Sequence, residues 1–199
     1  MRIQILEQVI GKVIDRTFKS MESLYRNEDI DAISTRLCFP QYYHGVNENE
    51  LRLSEQELRQ MFVEEFNRYC DEKKLGLRYS VETPTKDKYR NNKPSEDGGR
   101  SGRFDLTIFD DERMVAIIEF KSFNVDYERD LGKLTNEKEG GTEILRYLVN
   151  VLKTADQGTV KSITEKFSKN LHGERKVYLR FYSLENPEIN EDFPQFINY

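Results

Sequence analysis

Apolar residues return at three- and four-residue steps from Ile3 through Leu6, Ile10, Val13, Ile14, Thr17 and Met21 to Leu24. That is the period of one helix face, and it predicts a helix over 2–26 that Asn27-Glu28-Asp29 ends. Residues 30–50 show no period, only an aromatic group of Phe39, Tyr42 and Tyr43 around Pro40. Ser54 followed by Glu57 has the spacing of a capping box. It opens a second predicted helix to about Lys74, with Leu58, Met61, Phe62, Phe66 and Tyr69 as its stripe and Gly76 after it.

Beyond Gly76 the period shortens. Leu77–Thr83 reads as a strand stopped by Pro84, and 84–102, almost without apolar residues and carrying Pro94 and Gly98-Gly99, reads as a long loop. Arg103–Phe109 alternates, Asp110-Asp111-Glu112 is a turn, and Met114–Phe120 is a nearly continuous apolar run, as a central strand requires. Residues 125–138 are charged, a helical or irregular excursion. Thr142 is read as the cap of a helix carrying Ile144, Leu145, Leu148, Val149 and Leu152, and a shorter helix spans 159–169. Lys176–Tyr182 alternates again as a strand. The expected architecture is α/β, a central mixed sheet of about four strands flanked by helices. Residues 1–50 form an N-terminal helical extension packed on the core, and 51–199 form the main domain. Its arm, 183–199, carries apolar groups that pack back on the domain or on a partner.

Composition narrows the classes. The chain has 199 residues, with 31 basic and 36 acidic side chains and a formal net charge of -5. This speaks against a basic architectural nucleic-acid binder, but local charge outweighs the sum for an enzyme acting on nucleic acid. Cys38 and Cys70 share no metal-ligand spacing and read as reduced thiols; with no leader pattern and no long apolar run, the expected compartment is the cytoplasm and no membrane is involved. Positive charge gathers between Lys86 and Arg103: Lys86, Lys88, Arg90, Lys93, Arg100 and Arg103 stand against Asp87, Glu96 and Asp97, a local excess of +3. These six are candidate phosphate contacts, or else an ordinary solvated loop. Tyr42, Tyr43 and His44 are a binding surface or simple packing.

Three residues carry candidate chemistry. Glu119 and Lys121 end the apolar strand on one face, since side chains repeat every second residue. Asp105 begins the strand before it, and a hairpin turning at 110–112 makes Asp105 and Glu119 neighbours. Two carboxylates and a backbone carbonyl, that of Phe120, suit a hard cation such as magnesium, with manganese as substitute. Such an ion acidifies a bound water and polarises a phosphoryl oxygen; Lys121 orients or deprotonates that water. The plain alternative is a cross-strand salt bridge with Lys121 reaching past the strand end.

Gly102-Arg103-Phe104-Asp105, a hairpin, then Ile118-Glu119-Phe120-Lys121 resembles the PD-(D/E)XK nuclease superfamily, whose restriction-endonuclease-like core runs helix, three-stranded meander, helix, strand. The resemblance covers roughly 54–182. It implies that Asp105 and Glu119 ligate magnesium, that Lys121 completes the catalytic set, and that 51–199 is a nuclease-like domain. The proline that often precedes the first aspartate is replaced by Phe104, and the glutamine–tyrosine pair of the RecB-type branch is absent. Many members add a carboxylate from the first core helix; Glu65 is the candidate, with Glu64 and Glu55 as alternatives. The function expected is metal-dependent endonucleolytic hydrolysis of phosphodiester bonds, foremost in DNA. The alternative is a non-catalytic nucleic-acid or protein interaction module of the same fold. A homodimer or a protein partner would engage the N-terminal helix or the C-terminal arm.

Overall fold

The computed structural model describes residues 1–27, 35–41, 50–90, 93–94, 99–122, 127–136, 143–168 and 176–198. Tyr42, Tyr43, His44 and Thr142 lie outside them. Helix α1 is Ile3–Arg26 and α2 is Glu55–Lys73. Then come β1, Leu77–Arg90; β2, Lys93–Pro94; β3, Arg100–Asp110; and β4, Arg113–Ser122. Helix α3 is Glu128–Thr135, β5 Leu145–Leu152, α4 Gln157–Ser168, β6 Lys176–Ser183 and β7 Phe196–Asn198, with a 3-10 turn at Pro187–Asp192.

Among the described residues the strands form one mixed sheet of seven, in the order β2-β1-β3-β4-β5-β6-β7. β1, β3 and β4 are a meander of antiparallel neighbours, β4, β5 and β6 are mutually parallel, and β7 returns antiparallel on β6. Each face of the sheet has its own apolar cluster. Leu106, Ala116, Ile118, Phe120, Tyr147 and Val149 pack under α1 and α2. Ile117, Leu148, Leu179 and Phe181 pack under α3 and α4. The tail closes on the second cluster through Ile189, Phe193 and Ile197.

Three expectations change. The helix expected from Thr142 is strand β5, buried along its whole length. An apolar run that faces a layer on each side satisfies steps of two and of three or four alike, so periodicity cannot separate the two. The loop at 84–102 is mostly strand: β1 continues past Pro84 to Arg90, and β3 begins at Arg100. Proline is tolerated more easily because β1 pairs there with β3 alone and its other side is an open edge. The sheet accordingly has more than the four strands expected.

The predicted starts of α2 and of the β3–β4 hairpin hold. The Ser54 hydroxyl donates to the Glu57 carboxylate, and neither side chain bonds a backbone N–H, so the box is present in its side chains only. Asp111 takes the left-handed conformation (φ 56°) in the hairpin turn, which aspartate accepts more readily than most residues. Both cysteines are free thiols.

The first cluster depends on Phe62. It is fully buried, its ring 5.4 Å from Phe120 on the sheet and 6.2 Å from Phe66 on its own helix. Phe62→Ala removes the packing that seats α2 on β4, and is expected to lower unfolding free energy by about 3–5 kcal/mol, read from urea denaturation.

Candidate active site

The β3–β4 register sets Leu106 opposite Ile118, which brings the start of β3 to the end of β4. Asp105 Oδ2 accepts a hydrogen bond from the Phe120 N–H at 2.8 Å. On β4, Ile117 belongs to the cluster under α3 and α4, so the two-residue repeat turns Glu119 and Lys121 to that side as well. Helix α3 lies over them and adds Asp130 and Lys133, three residues apart and so on one face.

The two ammonium groups divide the carboxylates. Lys133 Nζ is 2.6 Å from Glu119 Oε1 and 3.0 Å from Asp130 Oδ1, and it donates to the Arg103 carbonyl at 2.9 Å. Lys121 Nζ is 3.0 Å from Asp130 Oδ2 and 3.1 Å from Glu55 Oε1, at the first turn of α2. Asp130 therefore bridges both lysines, one oxygen to each. Glu119, Lys121, Asp130 and Lys133 are all buried, while the Glu55 side chain is 41% exposed. The cluster meets water at its Glu55 end.

Withdrawing ionised groups from water costs several kcal/mol each unless partners repay it. For Asp130 they do: burial works to raise its pKa, the two lysines outweigh it, and the carboxyl is held below its ordinary value. For both lysines burial works to lower the pKa, the carboxylates prevail, and both stay charged. Glu119 is different. Burial, and then the neighbouring Asp105 carboxylate, push it well above the ordinary carboxylate range despite Lys133. Its Oε2 is buried and has no hydrogen-bond partner. Four carboxyl groups share two ammonium groups here, and Glu119 is the one that this shortage of positive charge leaves hardest to ionise.

Among the described residues no group of three or more His, Cys, Asp or Glu side chains converges as a ready ligand cage. The oxygen donors gathered here that could take a hard cation together with water are Asp105, the unpaired Glu119 oxygen and the Phe120 carbonyl.

The structure brings Asp105, Glu119 and Lys121 into one region. It does not join Glu65 to them. Glu65 is buried, but it accepts from Ser20 at 2.7 Å and Arg68 at 2.6 Å and so ties α2 to α1. Glu64 accepts from Thr35 at 2.6 Å. The carboxylate that α2 does send to the cluster is Glu55. Asp130 and Lys133 are not singled out by the sequence. Their signal is faint: Tyr127, Asp130, Leu131 and Leu134 share a helical stripe, which puts Asp130 on the inner face of the excursion.

Five of the six basic candidates lie on the ribbon of β1 and β3, and Lys93 lies on the short β2 paired to its tip, instead of on a loop. Lys86, Lys88, Arg100 and Arg103 are exposed or half-buried at the surface. Arg90 and Lys93 pair through their backbones; their side chains lie outside the described residues. Thr85, Asp87 and Tyr89 turn the other way. Asn136, just after α3, donates to Asp87 Oδ2 and to the Tyr89 hydroxyl, each at 2.8 Å. Gly102 lets the strands close, since a Cβ there would stand 3.0 Å from Thr85 Oγ1. Left-handed Glu82 (φ 52°) lies just before the irregularity in the β1–β3 register between Pro84 and Lys88.

Comparison with known proteins finds no matching family model, no matching curated protein and no matching solved structure.

The Glu119 environment predicts a pH dependence. From its ordinary value near 4.5 upward to its raised one, the folded chain keeps a proton that the unfolded chain has released. Stability is therefore greatest at the acid end of that window and falls as pH rises through it. Glu119→Gln removes this slope. Urea midpoints from about pH 4.5 to about pH 8, a span that starts at the ordinary carboxylate value, are expected to decline in the parent relative to the variant. Parallel curves would show that Glu119 is not held neutral.

Proposed function

We propose that the chain is a magnesium-dependent nuclease that hydrolyses phosphodiester bonds in DNA, built on the PD-(D/E)XK plan. The observation that carries the reading is the buried, unpaired Glu119 oxygen beside Asp105, at the end of a central strand that also bears Lys121. The order of elements supports it: α2, the β1–β3–β4 meander, then α3 and the parallel strand β5 follow the helix–meander–helix–strand core of that superfamily. The second helix and last strand of that core thus fall earlier in the chain than the sequence periods suggest.

Asp105, Glu119 and the Phe120 carbonyl would hold the ion. When bound, the ion supplies an acidified water and charge stabilisation at the phosphoryl oxygen. Lys121 is the residue left to act on the phosphate. Asp130 and Glu55 fix its ammonium and keep it charged, so it donates to water or phosphate oxygen and does not serve as a base. Glu55 takes the place expected for Glu65 as the helix-borne carboxylate. The ribbon bearing Lys86, Lys88, Arg100 and Arg103 supplies phosphate contacts.

A second reading is a non-catalytic interaction module of the same fold. One observation favours it: Lys133, at 2.6 Å from Glu119, already offers this carboxylate a cation.

Asp105→Ala and Lys121→Ala are expected to lower magnesium-dependent cleavage of plasmid DNA by about 100-fold or more, with an unchanged circular dichroism spectrum. Cleavage at the parent rate in both variants would sink the assignment. The combined Lys86→Ala, Lys88→Ala and Arg100→Ala variant is expected to weaken binding to unrelated duplexes alike. Its dependence of log K on log salt should flatten by about 0.9 for each phosphate that is no longer neutralised; an unchanged slope would mean that the ribbon does not touch DNA.

A further inference from the structure

We propose that Lys133 is a displaceable internal counter-ion: its ammonium holds the Glu119 carboxylate until a divalent cation arrives, and the cation binds by driving it off. The inference rests on the metal-site reading above and adds to it a residue that the sequence resemblance does not supply.

The two oxygens of Glu119 are used unequally. Both are buried and neither accepts a well-directed hydrogen bond, but Oε1 lies 2.6 Å from Lys133 Nζ in an ion pair that Oε2 does not share. Lys133 divides its single positive charge between Glu119 and Asp130, and Asp105 adds a further negative charge beside Glu119. The position is therefore short of positive charge even with Lys133 in place. A divalent ion on Oε2 and Asp105 would make up that shortfall, yet it would stand within a few ångströms of the ammonium, and like charges so close repel strongly in a dry setting.

Lys133 has somewhere else to hold. Asp130 Oδ1 at 3.0 Å and the Arg103 carbonyl at 2.9 Å both remain when Glu119 is surrendered. Asp130 is one helical turn away on the same helix, so the ammonium can stay paired without moving α3. In the metal-bound state Asp130 would then carry both lysines, Lys133 and Lys121, beside the phosphate position. Lys133 is thus a positioning residue. It prevents an unpaired carboxylate from being buried in the metal-free chain, and it opposes metal binding by the strength of its own ion pair.

The test is calorimetric titration with Mn2+ of the parent, of Lys133→Met and of Lys133→Met/Glu119→Gln. The parent is expected to bind, Lys133→Met to bind at least ten-fold more tightly, and the double variant, neutral at both positions, to fold and not bind. A merely structural role predicts the reverse order, because loosening the cluster weakens the site. Equal or weaker binding by Lys133→Met beside a binding parent overturns the counter-ion and leaves the nuclease reading standing. No binding by either chain overturns both. A measurement on the parent alone removes dependence on how the variant folds: the 15N resonance of the Lys133 side-chain ammonium. Saturating Mg2+ should shift it as the pair with Glu119 is lost. An unshifted resonance at saturation overturns the proposal.

Discussion

The constraint on which the rest of this structure depends is the burial of the Glu119 carboxylate near the end of the central strand β4. A fully buried carboxylate cannot be left alone, and the surrounding elements are arranged around that fact. β3 sends Asp105 to the adjacent backbone, α3 brings Lys133 to one oxygen, and α2 reaches Lys121 through Glu55 at its exposed first turn. Asp130 joins the halves by pairing with both lysines. Four segments meet at one small group of charges, while the apolar clusters on the two faces of the sheet hold them there.

Those clusters explain why the charges are tolerated. β4 and β5 are parallel neighbours covered on both faces, the setting in which strands become almost uniformly apolar. Near the end of β4 the two ionic positions, Glu119 and Lys121, lie under α3, with Lys121 reaching the first turn of α2. Lys121 pairs in register with Asn150 on β5, whose amide donates to the Tyr127 hydroxyl at 2.7 Å. The floor of the ionic cluster is thus itself polar and hydrogen-bonded before the apolar core begins.

The proximity of Asp105, Glu119 and Lys121 was legible in the sequence because two local rules locate them: alternation along a strand and the turn of a hairpin. The partners were not. Asp130 and Lys133 are joined to Glu119 and Lys121 by ion pairs that no local period encodes. Glu65 shows the opposite limit. Its place among Phe62, Phe66 and Tyr69 correctly marks it as buried, but burial does not say against what, and Ser20 on α1 is the answer. The same ambiguity turned β5 into an expected helix, since a strand apolar on both faces has no polar phase to read. The ribbon was lost for a different reason: proline and glycine mark the ends of pairing in a central strand, whereas at an edge they are compatible with it.

The ribbon and the ionic cluster are also mechanically one unit. Asn136, directly after α3, grips Asp87 and Tyr89 on β1, and Lys133 within α3 grips the carbonyl of Arg103 on β3. One short helix therefore ties both strands of the basic ribbon to Asp130 and Glu119. This arrangement also sorts charge. Asp87 is drawn inward to Asn136, so the outward side of the ribbon keeps Lys86 and Lys88 while an acidic group is taken out of the way. The chain's formal charge of -5 averages over that separation. What an approaching polyanion meets is set by which face of the ribbon α3 leaves outward, and the same helix decides how the carboxylates behind it are paired.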